Sequence, residues 1–275
     1  MKKLLVLTVF SGVFFLSCLP NYAFKEYEKD TESYKASNYS QLQIETENGE
    51  IESTVVQGDT VIKVTLERWA TGITSVDAKN HLPDVVVHVT EDTTAKILRI
   101  YVDIPQITGR SYGCNATISL PESLYVDYET SNGKITVEGN QNGLLLSTSN
   151  GEINTNNTSG KADLSTSNGP ITIDNHKGDA KGVTSNGEIY ARVTMPKTDG
   201  SCNLKTSNGK LTLFIPDSVG AAIRMQTSNG DLSVDSDLHV QVTKMEDNLF
   251  EGTMGDGSGN IELESSNGNV SLKKL

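Results

Sequence analysis

The tetrapeptide Thr-Ser-Asn-Gly stands at residues 148–151 and returns at 166–169 and 184–187, each copy 18 residues after the last. Ser-Asn-Gly begins at Ser131, Ser149, Ser167, Ser185, Ser207, Ser228 and Ser266, and Glu47-Asn48-Gly49 is a looser eighth copy. The intervals between the seven run 18, 18, 18, 22, 21 and 38. A fixed internal period marks a coil whose laps stack on one another. A catalytic loop is written once, whereas a corner is written on every lap. Eighteen residues are enough for a flattened lap of two or three short strands joined by tight corners.

The residues between corners alternate with period two, which favours strands over helices. Apolar side chains stand four and six residues after the serine: Ile135 and Val137, Ile171 and Ile173, Leu211 and Leu213, Leu232 and Val234, Val270 and Leu272. Others stand five and three residues before it: Val126 and Tyr128, Leu144 and Leu146, Ala162 and Leu164, Ile223 and Met225, Ile261 and Leu263. In extended chain each set points to one side, and the intervening residues are mostly polar. One face of each strand is therefore dry and the other wet.

The same parity, carried into the corner, turns the Thr before the Ser and the Asn after it inward. Asn132, Asn150, Asn168, Asn186, Asn208, Asn229 and Asn267 then form a ladder at a spacing of ~4.8 Å that satisfies buried corner amides. Gly133, Gly151, Gly169, Gly187, Gly209, Gly230 and Gly268 supply the positive φ that Asn-Gly turns commonly need. The expected fold is all-β, a single-domain parallel β-solenoid with rungs of about 18–22 residues. Residues 37–110 form its less regular β-rich N-terminal part and 111–275 the regular rungs. The segment from Asp235 to Gly259, which lengthens the last interval, is expected to form a hairpin that helps cap the C-terminal end.

Ahead of this domain, residues 1–18 read as a signal peptide. Lys2 and Lys3 precede an apolar run from Leu4 to Leu16, too short to span a bilayer comfortably. Ser17-Cys18 resembles the end of a bacterial lipobox, with Cys18 as the lipidated first mature residue, although Phe15 departs from the usual Leu, Val or Ile; an ordinary signal peptide cut near Ala23 is the alternative. Residues 19–36 lack apolar periodicity and are expected to be a flexible tether. The chain as a whole carries a net charge of −12, which becomes −14 once Lys2 and Lys3 are removed. Such a surface repels nucleic acid and anionic membranes.

Candidate chemistry is sparse. Cys114 and Cys202 both fall on inward positions about four rungs, ~20 Å, apart, whereas a disulfide needs Cα atoms within ~7 Å, so two buried free thiols are expected. His81, His88, His176 and His239 have no metal-like partner spacing, and no metal or cofactor is expected. Met254 to Asn260 is glycine-rich but is neither a P-loop nor an EF-hand loop. Lys134, Glu152, Glu188, Lys210 and Asp231 follow the corner glycines and should stack as a mixed-sign stripe on the wet face. Paired carboxylates for glycan cleavage are not apparent, and no catalytic residue is assigned.

The succession of TSNG-x-I-x-V rungs behind an irregular β-rich section resembles the bacterial putative-adhesin family, a β-solenoid domain of unknown function. The segment from Glu67-Arg68-Trp69 to Asp92 looks like that family's short helical excursion between strands, with Asp77-Ala78-Lys79-Asn80-His81-Leu82 within it. Phe250-Glu251-Gly252 to Gly259, leading into Ile261-Glu262-Leu263, looks like its glycine-rich final rung. The leader and the resemblance together point to a non-enzymatic envelope lipoprotein, exported to the cell surface or periplasm, with only its adhesin-like role implied by the resemblance. It would bind a glycan, a matrix component or an envelope protein and meet the membrane through its N-terminal lipid. A polysaccharide-active β-helix enzyme and a purely structural envelope component are the alternatives.

Overall fold

A computed structural model describes residues 22–196 and 199–275. The signal peptide, Cys18 and the start of the expected tether lie outside the described residues. The first strands are β1 (Phe24–Lys35), β2 (Gln41–Thr46), β3 (Ile51–Val55) and β4 (Val61–Gly72). A short helix α1 (Ser75–Asn80) and a 3-10 turn (Leu82–Asp84) follow, then β5 (Val86–Asp92), β6 (Ile97–Asp103) and β7 (Tyr112–Leu120). The regular rungs begin with β8 (Tyr125–Thr130), β9 (Ile135–Glu138), β10 (Leu144–Thr148), β11 (Ile153–Asn156), β12 (Ala162–Asn168) and β13 (Ile171–Lys177). They continue as β14 (Ala180–Asn186), β15 (Ile189–Thr194), β16 (Ser201–Asn208), β17 (Leu211–Ile215), β18 (Ala221–Asn229) and β19 (Leu232–Val234). A hairpin of β20 (Val240–Glu246) and β21 (Leu249–Met254) precedes β22 (Gly259–Asn267) and β23 (Val270–Lys274).

Each lap gives one strand to each of two facing sheets. The first has 11 strands in the order β1-β4-β7-β3-β9-β11-β13-β15-β17-β23-β19, and the second has 12 in the order β20-β21-β18-β22-β16-β14-β12-β10-β8-β2-β6-β5. The regular laps pair in parallel and in step, as where Leu144, Leu146 and Thr148 meet Ala162, Leu164 and Thr166. The core lies between the sheets, and Leu144, Leu146, Ile171, Ile173, Leu211, Leu213, Ile261 and Leu263 are fully buried within it. The alternation seen in the sequence is thus one dry face per strand.

The order of laps departs from chain order at both ends. The pair β2/β3 sits inside β6/β7, and the final pair β22/β23 slots between β16/β17 and β18/β19. The expected capping hairpin is present: β21 runs antiparallel to β18 and β20 to β21, covering the edge of the second sheet. The glycine-rich stretch after it leads into an internal rung, so the last rung in sequence is not the last in space.

One expectation is overturned. The tether assigned to residues 19–36 is, from Phe24 to Lys35, a twelve-residue strand paired antiparallel with β4 along its whole length. Its face pattern was hidden because nearly every residue on an edge strand at an open end is exposed. The many charges of FKEYEKDTESYK then serve to blunt a sheet edge against unwanted pairing.

Candidate functional site

The repeated corner is where the chain crosses from the second sheet to the first. Its Thr side chains point inward as expected: Thr130, Thr148, Thr166, Thr184, Thr206 and Thr227 are buried. Each hydroxyl donates to a glycine carbonyl of the neighbouring lap, Thr148 to Gly133 at 3.1 Å, Thr166 to Gly151 at 3.0 Å and Thr184 to Gly169 at 3.0 Å. Thr206 does the same to Gly187 at 2.9 Å, and Ser265, standing where a Thr would, donates to Gly209 at 3.1 Å.

The asparagines do form a ladder, but on the outside. Asn132, Asn150, Asn168, Asn186, Asn208, Asn229 and Asn267 are all exposed. Nδ2 of Asn150 donates to Oδ1 of Asn132, Asn168 to Asn150, and Asn186 to Asn168, each at 2.9 Å. The row extends from Asn48, which accepts from Asn132 at 2.7 Å, through Asn208 and Asn267 to Asn229. The inward placement fails because period-two alternation breaks as the chain changes sheets, leaving Ser149 and Asn150 exposed in succession.

The glycine expectation is also corrected. Of the seven corner glycines only Gly268 has a positive φ, +157°, close to extended. The reason for glycine is proximity: a Cβ on Gly151, Gly169, Gly187 or Gly209 would lie 1.9–2.0 Å from the carbonyl oxygen of the glycine one lap away. Left-handed backbone instead occupies the opposite edge of the stack, at Gly139 (φ 81°), Asn157 (φ 53°) and Asn175 (φ 51°). There Asn175 donates to Asn157 at 2.6 Å, a second contact between asparagines 18 residues apart.

Charged side chains pair on both sheets, and on the first Arg192 meets Asp174 at 3.3 Å. On the second sheet, charged side chains of neighbouring strands meet one another: Lys181 and Asp163 at 3.2 Å, Lys205 and Glu264 at 2.6 Å, and Arg224 with Glu251. On the first sheet a polar row runs in register through Thr136, Asn154, Thr172, Tyr190, Thr212 and Ser271, of which the first three are half-buried, Tyr190 is exposed, and Thr212 and Ser271 are buried. Tyr190 stands in that row with its ring 5.4 Å from that of Phe214, and the Lys273 ammonium lies 5.8 Å from the Phe214 centroid. The mixed-sign stripe begins with Lys134 bound to Glu152, whose carboxyl is held below the usual range by that lysine. Pro170 interrupts it before Glu188 and Lys210.

The remaining candidates stand apart. Cys114 and Cys202 are both buried and free, on strands of different sheets, and burial pushes each thiol up to about 12. His81 meets Asp84 at 2.6 Å, and His88 meets Asp103 at 3.0 Å while stacking on Tyr101. His176 is fully buried, with Nδ1 2.9 Å from the Thr158 hydroxyl and Nε2 3.1 Å from the Asp179 carbonyl. Among the described residues no three His, Cys, Asp or Glu side chains are grouped to hold a metal ion. Asp256 is spent within its own turn, accepting from the Ser258 amide at 3.1 Å.

No curated protein matches this chain. Among solved structures, a putative cell adhesion protein from Clostridium sporogenes matches over 91% of this chain and 100% of its own at 11% identity, with a TM-score of 0.37. A putative adhesin from Bacteroides fragilis covers 90% of this chain and 97% of its own at 12% identity and a TM-score of 0.38. Another, from Parabacteroides distasonis, does so at 11% identity and a TM-score of 0.37. The sequence profile of one family matches residues 29–273, nearly the whole chain, and the protein belongs to that family, Toastrack DUF4097.

Proposed function

We propose that this chain is a non-enzymatic protein of the bacterial cell envelope, exported, anchored by a lipid on Cys18, and used as a stiff binding surface. The observation that carries this reading is the outer row of the first sheet. Thr136, Asn154, Thr172 and Tyr190 bring one solvent-reaching hydroxyl or amide per lap, at a strand spacing of ~4.8 Å, on a backbone that neighbouring laps hold in register. A row of that kind offers many weak contacts to an extended polymer such as a glycan, a matrix fibre or an extended segment of another envelope protein. Tyr190 supplies one flat apolar ring among them.

Brief protease treatment of intact producing cells, beside a known periplasmic control, tests the display. Digestion of this protein while the control survives supports an outward-facing adhesin. Survival of both removes that role and leaves a periplasmic partner-binding one.

A further inference from the structure

The corner where the described chain begins is unlike the rest of the surface. Tyr22 lies over the Arg110 guanidinium at 4.9 Å and beside Gly109, where a Cβ would touch its ring at 3.0 Å. Phe24 then opens β1 opposite Gly72, and Ile73 continues from that glycine. Val76, 69% exposed, sits on α1, which is tied to β1 by the Ser75 hydroxyl donating to Glu26 at 2.6 Å. Ile107 belongs to the loop that Arg110 fastens to β4 and α1, through the Thr71 carbonyl at 2.6 Å and Asp77 at 2.9 Å. Trp69, the single tryptophan, lies across Gly113, with the Lys25 ammonium 3.6 Å from its ring centroid.

Phe24, Ile73, Val76 and Ile107 are all exposed although large and apolar. Exposed aliphatic and aromatic residues gathered beside an exposed lysine, here Lys25, have the composition of a membrane–water interface. A patch of this kind left facing water marks a contact. What covers it follows from the chain itself. Cys18 stands four residues before Tyr22, and four residues reach at most ~14 Å when fully extended.

We infer that this corner is a lipid-contacting surface: with Cys18 acylated, Phe24, Ile73, Val76 and Ile107 rest in the interfacial zone of a phospholipid bilayer, with Lys25 at the headgroups. The inference rests on the lipoprotein reading above. It adds that the folded domain does not hang freely from its anchor but stands on the membrane by its N-terminal corner.

The experiment uses the full-length lipoprotein in phosphatidylcholine vesicles carrying acyl-chain bromines. One variant combines Trp69→Phe with Val76→Trp. Its control combines Trp69→Phe with Val242→Trp, at an exposed position on the hairpin at the far end. Intact mass measures acylation of the same samples. Acylated protein whose fluorescence is at least halved by brominated lipid at position 76, and unchanged at position 242, supports the inference. Acylated protein quenched at neither site, or equally at both, overturns it and leaves the lipoprotein reading standing. Protein without acyl chains overturns both. Acylated protein unquenched at position 76 but dimeric by sedimentation assigns the corner to a second copy and also overturns it.

Discussion

Gly169 lies so close to Gly151 of the neighbouring lap that a Cβ on it would stand 2.0 Å from the Gly151 carbonyl oxygen. That oxygen also accepts the buried Thr166 hydroxyl at 3.0 Å. These two contacts and the outer Asn ladder explain three letters of the repeat. Gly lets the laps close to strand spacing at their bend, Thr satisfies the carbonyl this closeness buries, and Asn clasps its neighbours on the outside.

Gly169→Ala should be the most damaging change at the corner. The collision is with the Gly151–Glu152 backbone, so the methyl has no flexible neighbour to displace, and a cost of about 3 kcal/mol or more is expected. Gly58→Ala is the control: its φ of +77° strains a side chain but nothing lies within 4 Å. Urea unfolding that places Gly58→Ala below Gly169→Ala would show that left-handed backbone matters more than close approach.

Thr166→Val should cost about 1–3 kcal/mol, because it leaves the Gly151 carbonyl buried without its partner. Asn168→Ala breaks bonds to Asn150 and Asn186, both 2.9 Å, but water reaches the vacated groups, so about 0.5–1.5 kcal/mol is expected. The two midpoints, measured in the same urea series, should fall in that order. The reverse order would make the outer ladder the principal fastening.

Cys114 and Cys202 should be inert in the folded protein. The thiolate is the reactive form, and burial holds both groups at about 12. In a Cys18→Ser chain, iodoacetamide at pH 8 should add nothing to the native protein and two labels after unfolding, read by intact mass. Native labelling, or a mass two hydrogens low, would contradict the burial.

His176 should make the protein less stable as pH falls below neutrality. Burial holds its folded pKa below the ordinary 6.5, partly offset by the Asp179 and Gly160 carbonyls. The unfolded chain therefore takes up the proton first, and stability present above pH 6.5 is lost as pH descends toward the folded value. Urea midpoints at pH 7 and pH 5 should differ more for the native sequence than for His176→Gln. Equal differences in the two proteins would remove His176 as the cause.

Ending the chain after Gly257 should do more than shorten the stack. In a simple coil the last rung could be lost alone. Here β22/β23 fills the gap between β16/β17 and β18/β19. Its removal uncovers the core on both sides, and the truncated protein should lose the cooperative transition seen by circular dichroism. A full-amplitude transition with a slightly lower midpoint would mean that the β18/β19 lap can re-pair with β16/β17.

Much of this architecture is legible along the chain, because neighbouring laps are also close in sequence. The 18-residue period, the dry and wet faces of each strand, the inward Thr and the hairpin after Asp235 all depend on local alternation and spacing, while the helical excursion came from the family resemblance alone. The two free thiols followed from the same parity. The candidate surface was less accessible. The Tyr190–Phe214 pair joins residues 24 apart, and the corner around Phe24, Val76 and Ile107 joins three separate segments.

The sequence by itself determined that this is a two-faced β coil with a polar bend on each lap, since side-chain parity and repeat length are properties of the chain alone. Only the tertiary structure decided which way the bend faces, why its glycine is needed and where the end rungs sit. Alternation fails at the point where the chain leaves one sheet for the other, so Asn168 turns to solvent. The distance from Gly169 to Gly151 belongs to the stacking of backbones, which no periodicity encodes. The placing of β22/β23 inside β18/β19, and the pairing of β1 with β4, are choices among competing strand edges. Burial of core and hydrogen-bonding of edges settle them once the whole chain is present.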